Sequence, residues 1–414
     1  MRSVIIRMKQ YRRQGIALFF LFLMCSPFSA LPVSAAFSKS AATEIYKKTT
    51  IDTLQSKAYA SVEYESGQVI LTGGTQEPIV IGGLVKMMTL LLTFEAIESG
   101  RITMDTEFEV TKHAQNVSVG KARVFLDAGK HEKITVKQAV EAVCISGAND
   151  AACALAEFIG GSEAAFVGQM NARAGEMGLT NTYFTDSTGL LTDQYTTAAD
   201  FVQIVHALMR NHPDSIPYLN LTYGKFQHTS TGQPDTEMVS YNPLNRNKFY
   251  EAADGGMIGS SQKDGYSICA TVSESDQRVV GVVLGAPNEN TRAAEIRKLL
   301  EYSVSEYEFR KLCTGGMFVR KIEVKNGKEK RIKTQTASDL SVLVHISEVG
   351  KITSAVEITE KLSAPVEAGA KVGYVVYSMN GEEIGRVELV KAEAMPKANW
   401  FVRLVRTILS WFGL

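Results

Sequence analysis

An α+β fold is what the amino-acid sequence predicts, on three observations. A hairpin-like stretch near the start is followed by a run of helices. Two strand-like stretches and one more helix come next, between Tyr266 and Phe309. From about Phe318 the hydrophobic period drops to two and stays there.

The elements follow in order. Ala58 to Thr72 alternates around Ser66-Gly67 and reads as a β-hairpin. Gly82 to Ser99 is a long apolar run without proline, which predicts a largely buried helix ending near Gly100. Val136 to Ile159 predicts two helical pieces broken around Ser146-Gly147-Ala148-Asn149. Ala164–Met177 and Ala198–Arg210 are amphipathic helices. Tyr266–Val272 and Val279–Gly285 read as strands, and Thr291–Phe309 as a helix. Strands at 318–324, 330–335, 340–347, 354–360, 372–378 and 384–390 are separated by turns such as Asn326-Gly327 and Asn380-Gly381. They predict a second, all-β domain over 317–393, with Gly315-Gly316 as a hinge.

The two ends are of a different kind. Arg2, Arg7, Lys9, Arg12 and Arg13 precede a short apolar run from Ile16 to Met24, and Val33-Ser34-Ala35 supplies small residues. This layout reads as a secretory signal peptide over 1–36. The alternative is an uncleaved N-terminal anchor. Within 396–414, the residues Trp400, Phe401, Leu404, Val405, Ile408, Leu409, Trp411 and Phe412 share one arc, with Arg403 and Arg406 on the rest. That predicts an amphipathic helix lying in a membrane interface, too short and too charged to span. The alternative is a helix docked on its own protein.

Composition narrows the function classes. At 414 residues the chain has room for two or three domains. Lys+Arg and Asp+Glu both count 44, and no basic stripe interleaved with aromatics points to nucleic acid. Cys25 lies in the leader. Cys144, Cys153, Cys269 and Cys313 are scattered without a CxxC, so buried free thiols are expected, with no metal and no cofactor. Most of the six histidines are expected at the surface.

A series of motifs carries the functional reading. Pro78-Ile-Val-Ile-Gly-Gly-Leu-Val-Lys-Met-Met-Thr89 comes first, then Phe125-Leu-Asp-Ala-Gly and Ile134-Thr-Val. Asn149-Asp-Ala-Ala-Cys-Ala-Leu-Ala-Glu, Asp186-Ser-Thr-Gly-Leu, Asp254-Gly and Val283-Leu-Gly-Ala-Pro follow. In this order they resemble the low-molecular-mass penicillin-binding proteins, the serine-type D-Ala-D-Ala carboxypeptidases (peptidase S11-like). The resemblance covers nearly everything after the leader. It implies a DD-peptidase/beta-lactamase-like domain over 37–314, an antiparallel sheet flanked by helices with a helical subdomain. It makes the β domain a stalk and the tail an anchor. It implies an exported protein at the outer face of the cytoplasmic membrane, acting on peptidoglycan stem peptides.

Such an enzyme needs a serine at the start of a buried helix and a lysine one turn later that helps move the proton. It needs a second serine with an asparagine, and a Lys-Thr-Gly strand that holds the terminal carboxylate. On this pattern Lys86 and Asn149 keep their positions. The nucleophile position holds Gly83, and the second serine position Gly147. The clamp reads Met257-Ile258-Gly259, so only Gly259 survives. Losing the nucleophile leaves roughly 10³–10⁴ of rate over water in this kind of machinery. Ser118-Val-Gly-Lys121, Ser260-Ser-Gln-Lys263 and Ser240-Tyr-Asn242 match family patterns formally, outside the family positions, and Ser146 stands one residue off. Three expectations follow. The chain is a non-catalytic relative retained in cell-wall assembly, or an active carboxypeptidase using a displaced serine such as Ser146 or Ser118, or a binding module for peptidoglycan or an active paralogue.

Overall fold

The computed structural model describes residues 51–411, apart from 52–53, 118–121, 247–248, 275–276 and 359–361. Residues 1–36, read as a signal peptide, Cys25, Ser118 and Phe412 lie outside the described residues, as do the side chains of Leu409 and Trp411.

The first hairpin is β1 (Ala58–Glu63) and β2 (Val69–Gly74). After it come α1 (Lys86–Glu98), α2 (Val136–Ser146), α3 (Asn149–Gly160), α4 (Glu163–Glu176) and α5 (Ala198–Asn211). Then β3 (Ala253–Ser261), β4 (Gly265–Glu274) and β5 (Gln277–Ala286) complete a five-stranded antiparallel sheet in the order β2-β1-β5-β4-β3, and α6 (Glu289–Glu306) follows. The break between α2 and α3 falls at Gly147, in a left-handed conformation at φ 65°. Glycine is the residue that ends a helix this way without strain.

Both faces of the sheet are covered. Along β5, Val280, Val282 and Leu284 enter a core built with α1, α2, α3 and α5. Val279 and Val283 enter a second core with Ile296, Leu299 and Leu300 of α6. A strand buried on both faces reads as a continuous apolar run, as this one does. Helix α1 is buried nearly all round, which explains its lack of a polar face.

The helix expected over Thr291–Phe309 ends at Glu306. Tyr307 opens a strand, β6 (Tyr307–Cys313), that leads into the β region. There β7 (Phe318–Lys325), β8 (Arg331–Thr336), β9 (Leu340–His345), β10 (Ile352–Ile358), β11 (Leu362–Ser363), β12 (Lys371–Met379) and β13 (Glu382–Lys391) surround a third core. Six of them form a sheet in the order β10-β12-β13-β8-β7-β11, while β6 pairs with β9. Gly315 and Gly316, read as a hinge, are tied down. Their N–H groups donate to Asp339 Oδ1 and to the Thr336 carbonyl, each at 2.8 Å. The chain ends in α7 (Trp400–Trp411).

The four described cysteines are buried free thiols. Not every histidine is superficial. His228 is buried with its Nδ1 2.6 Å from Glu132 Oε1, away from the cleft described next.

Candidate active site

A cleft of about 390 Å³ opens between the edge strand β3 and the helices facing it. It brings Gly83, Lys86, Gly147, Asn149 and Met257-Ile258-Gly259 together, from three separate stretches of chain.

At its floor three glycines allow a very close approach of backbones. A Cβ on Gly259 would lie 2.4 Å from the Ile81 carbonyl oxygen. One on Gly82 would lie 2.0 Å from the Ser260 oxygen, and one on Gly189 1.9 Å from the Gly82 oxygen. Side chains are excluded there. Gly83 differs. It stands in the one-turn 3-10 helix Gly82–Val85 that leads into α1, and its φ is not positive. A Cβ built on it meets nothing closer than the Ile258 oxygen and Lys86 Nζ, both at 3.6 Å. These are ordinary contacts, so the fold tolerates a side chain at Gly83.

Lys86 opens α1 and is 3% exposed. Its Nζ donates to the Thr188 carbonyl at 2.7 Å. Burial pushes the amine down to about 8, opposed by the carboxylates of Asp186 and Asp150. Asp186 also shapes the turn that presents Thr188. Its carboxylate accepts the N–H groups of Thr188 at 2.8 Å and Leu191 at 2.6 Å, and that of Gly189. Thr89, one turn along α1, donates to the Ser187 carbonyl at 2.7 Å. The segment 186–191 is thus fastened to α1 at two carbonyls.

Gly147, which the sequence reading sets at the second serine position, faces open space. Ser146 lines the cleft, but its hydroxyl donates back to the Ala142 carbonyl at 2.9 Å, one turn up its own helix. Asn149 is 5% exposed and lines the cleft at the start of α3. The neighbouring Asp150 is buried, and its carboxylate accepts the N–H groups of Val124, Leu126 and Ala151. Burial raises its carboxyl, and those bonds oppose the rise. They hold a rim loop in which Phe125 sits at φ 66°, exposed, under the Arg123 guanidinium.

On β3, Met257 is 5% exposed and belongs to the first core, and Ile258 packs toward the second. Neither offers a charge or a hydroxyl. Two features of the cleft were not assigned to it by the sequence reading. Ser240-Tyr241-Asn242, set aside as a formal match, lines the wall. So does Arg292 in α6, 3% exposed, with its guanidinium 5.8 Å from the Tyr266 ring centroid. Its Nε finds no hydrogen-bond partner among the described residues, and burial lowers its affinity for the proton. One signal was available in the sequence. A cation four residues after the helix cap Asn288 opposes the helix dipole.

Two other residues singled out in the sequence have these places. Ser260 lies on the rim at the end of β3. Asp254 pairs with Arg278 at 2.7 Å.

Comparison with known proteins places this arrangement. The family model described as D-alanyl-D-alanine carboxypeptidase matches residues 45–288, and that of the penicillin-binding protein 5 C-terminal domain matches 307–397. The D-alanyl-D-alanine carboxypeptidase DacF of Bacillus subtilis is 31% identical over 367 residues, covering 88% of this chain and 92% of that protein. DacA of Escherichia coli is 26% identical, covering 87% and 89%. The crystal structure of penicillin-binding protein 5 from Haemophilus influenzae superposes with a TM-score of 0.72 at 25% identity, covering 84% of this chain and all of that one. The chain belongs to the D-alanyl-D-alanine carboxypeptidase family.

Proposed function

We propose that this protein is an exported, non-catalytic member of its family that binds wall peptides in peptidoglycan assembly. The observation that carries the reading is Gly83. The position beside Lys86 has room for a side chain, and the chain places none there. Three further polar groups of the family pattern are absent at Gly147, Met257 and Ile258. A lysine without a nucleophile to serve cannot form an acyl-enzyme. The cleft nevertheless keeps polar groups suited to a peptide. Asn149 faces the backbone of an occupant, and Arg292 offers a buried guanidinium able to take a terminal carboxylate. Binding survives in this account where turnover does not. The occupant is a stem peptide ending in D-Ala-D-Ala, and an active cell-wall enzyme is a second partner.

The tail supports attachment to the outer face of the cytoplasmic membrane. Trp400, Phe401, Leu404 and Ile408 are 73, 59, 49 and 44% exposed. Arg406 turns the other way and donates to the carbonyls of Gly327 and Lys328. The helix thus faces the β region with its polar side and presents its apolar side outward, as an interfacial helix does. Among the described residues no single helix is long and apolar enough to cross a membrane.

The test is calorimetry with a stem pentapeptide, paired with an assay for released D-alanine. Binding without release supports the proposal. Release of D-alanine overturns it in favour of a displaced serine, and absence of binding removes the peptide as occupant.

A further inference from the structure

Behind the turn that holds Lys86, three helices bring together three donors that no sequence spacing reveals. His113 stands on the short helix Lys112–Val117, Cys153 on α3, and Glu163 opens α4. The His113 Nε2, Cys153 Sγ and Glu163 carboxylate oxygen all lie within 4.8 Å of one another. His113 Nε2 is 2.6 Å from Glu163 Oε2. The thiol is fully buried, the carboxylate partly so, and the imidazole is exposed.

We propose that His113, Cys153 and Glu163 form a three-ligand site for zinc. Imidazole, thiolate and carboxylate are the donors zinc accepts. Around a tetrahedral ion such donors stand roughly 3.3–3.6 Å apart, from bonds of about 2.0–2.3 Å. The cluster reaches that spacing by modest side-chain rotation. The exposed imidazole is the member with freedom to move, and it gives the ion a path from solvent. Water fills the fourth position.

The carboxylate is already oriented as a metal ligand would be. Its other oxygen, Oε1, accepts from the Ser187 N–H at 3.1 Å and from the Ser187 hydroxyl at 2.6 Å. Partners of this kind fix the first-shell ligand and tune its affinity. Burial keeps the Cys153 thiol protonated, with Glu163 and Glu157 adding to the effect. Zinc entry therefore displaces the thiol proton, and binding strengthens as pH rises.

The site is wired to the cleft. Ser187 precedes Thr188, whose carbonyl holds Lys86, and the Ser187 carbonyl takes the Thr89 hydroxyl. An ion on Glu163 fastens the same turn from behind.

The test uses the full chain without an affinity tag, titrated with cobalt(II) and then with zinc. One equivalent of cobalt gives a thiolate-to-cobalt charge-transfer band, and zinc abolishes it. Cys153→Ser removes the band and Cys144→Ser keeps it. The outer change Ser187→Ala weakens zinc binding about tenfold, and His113→Ala weakens it at least as much. His113 is exposed, so its variant folds and decides the matter should Cys153→Ser fail to fold. No band in the parent protein, a band that survives Cys153→Ser, or unchanged affinity in His113→Ala overturns the site.

Discussion

A side chain on Gly83 would begin 3.6 Å from Lys86 Nζ. The lysine is held in place by the Thr188 carbonyl, beside a position that carries no side chain. The floor glycines around it are required by backbone packing. Gly83 is not, since a Cβ there meets only ordinary contacts.

The contrast gives a stability prediction. Gly83→Ser changes stability by less than about 1 kcal/mol, because its Cβ enters ordinary contact. Gly259→Ala costs about 3 kcal/mol, because its Cβ would meet the Ile81 oxygen at 2.4 Å and the Leu84 nitrogen at 2.7 Å. Urea denaturation of the two variants measures both.

Function follows a different course. Gly83→Ser alone recovers little carboxypeptidase activity, because Gly147 still lacks a hydroxyl to relay protons, and Met257 and Ile258 lack the cation and hydroxyl that set a bound peptide's scissile bond against a nucleophile. Restoring the clamp with Met257→Lys and Ile258→Thr in the serine background raises D-alanine release above the single change. Near-family turnover from Gly83→Ser alone refutes the argument about the clamp.

Lys86 makes stability depend on alkaline pH. Above about 10.5 the amine is neutral whether the chain is folded or not, and below about 8 it is protonated in both. Between these limits the unfolded chain takes the proton first. The folded state therefore loses about 3 kcal/mol from this group as pH falls through the window. Lys86→Met removes that slope. Denaturation of both proteins at pH 8 and pH 10.5 gives the difference, and parallel curves contradict it.

Arg292 separates binding from folding. Its Nε is buried with no hydrogen-bond partner among the described residues, so Arg292→Met is neutral or stabilising to the empty protein. The same change weakens a peptide ending in D-Ala-D-Ala by tenfold or more, the loss of a hydrogen bond to a charged group at about 1.5–3 kcal/mol. Thermal unfolding and calorimetry read the two effects independently.

The tail makes a surface prediction. Replacing Trp400 or Leu404 by alanine weakens binding to anionic vesicles about tenfold each, since each deletes roughly 1.5 kcal/mol or more of apolar burial. Flotation with vesicles measures it, and unchanged flotation makes the helix a docking element only.

Local patterns in the sequence reached far. The run Leu84–Ile97 announced α1 because almost every face of that helix is buried. Lys86 and Asn149 were found by motif because each begins a helix whose own sequence is distinctive. What was missed depends on distance along the chain. Nothing local stops the helix at Glu306, since Tyr302, Ser303 and Val304 continue its buried face. The strand at Tyr307 is imposed by pairing with His345. Arg292 reaches the cleft only once the sheet has brought α6 against β4 and β5. Ser240 was seen and set aside because its motif stood out of order, although the fold returns it to the cleft wall.

One measurement bears most directly on the proposed absence of a nucleophile at Gly83. The intact protein is incubated with a fluorescent penicillin and its mass determined. The account predicts an unmodified mass and no covalent band, with a band appearing only once Gly83 is replaced by serine. A covalent adduct on the unaltered chain, mapped to any of its serines, contradicts it.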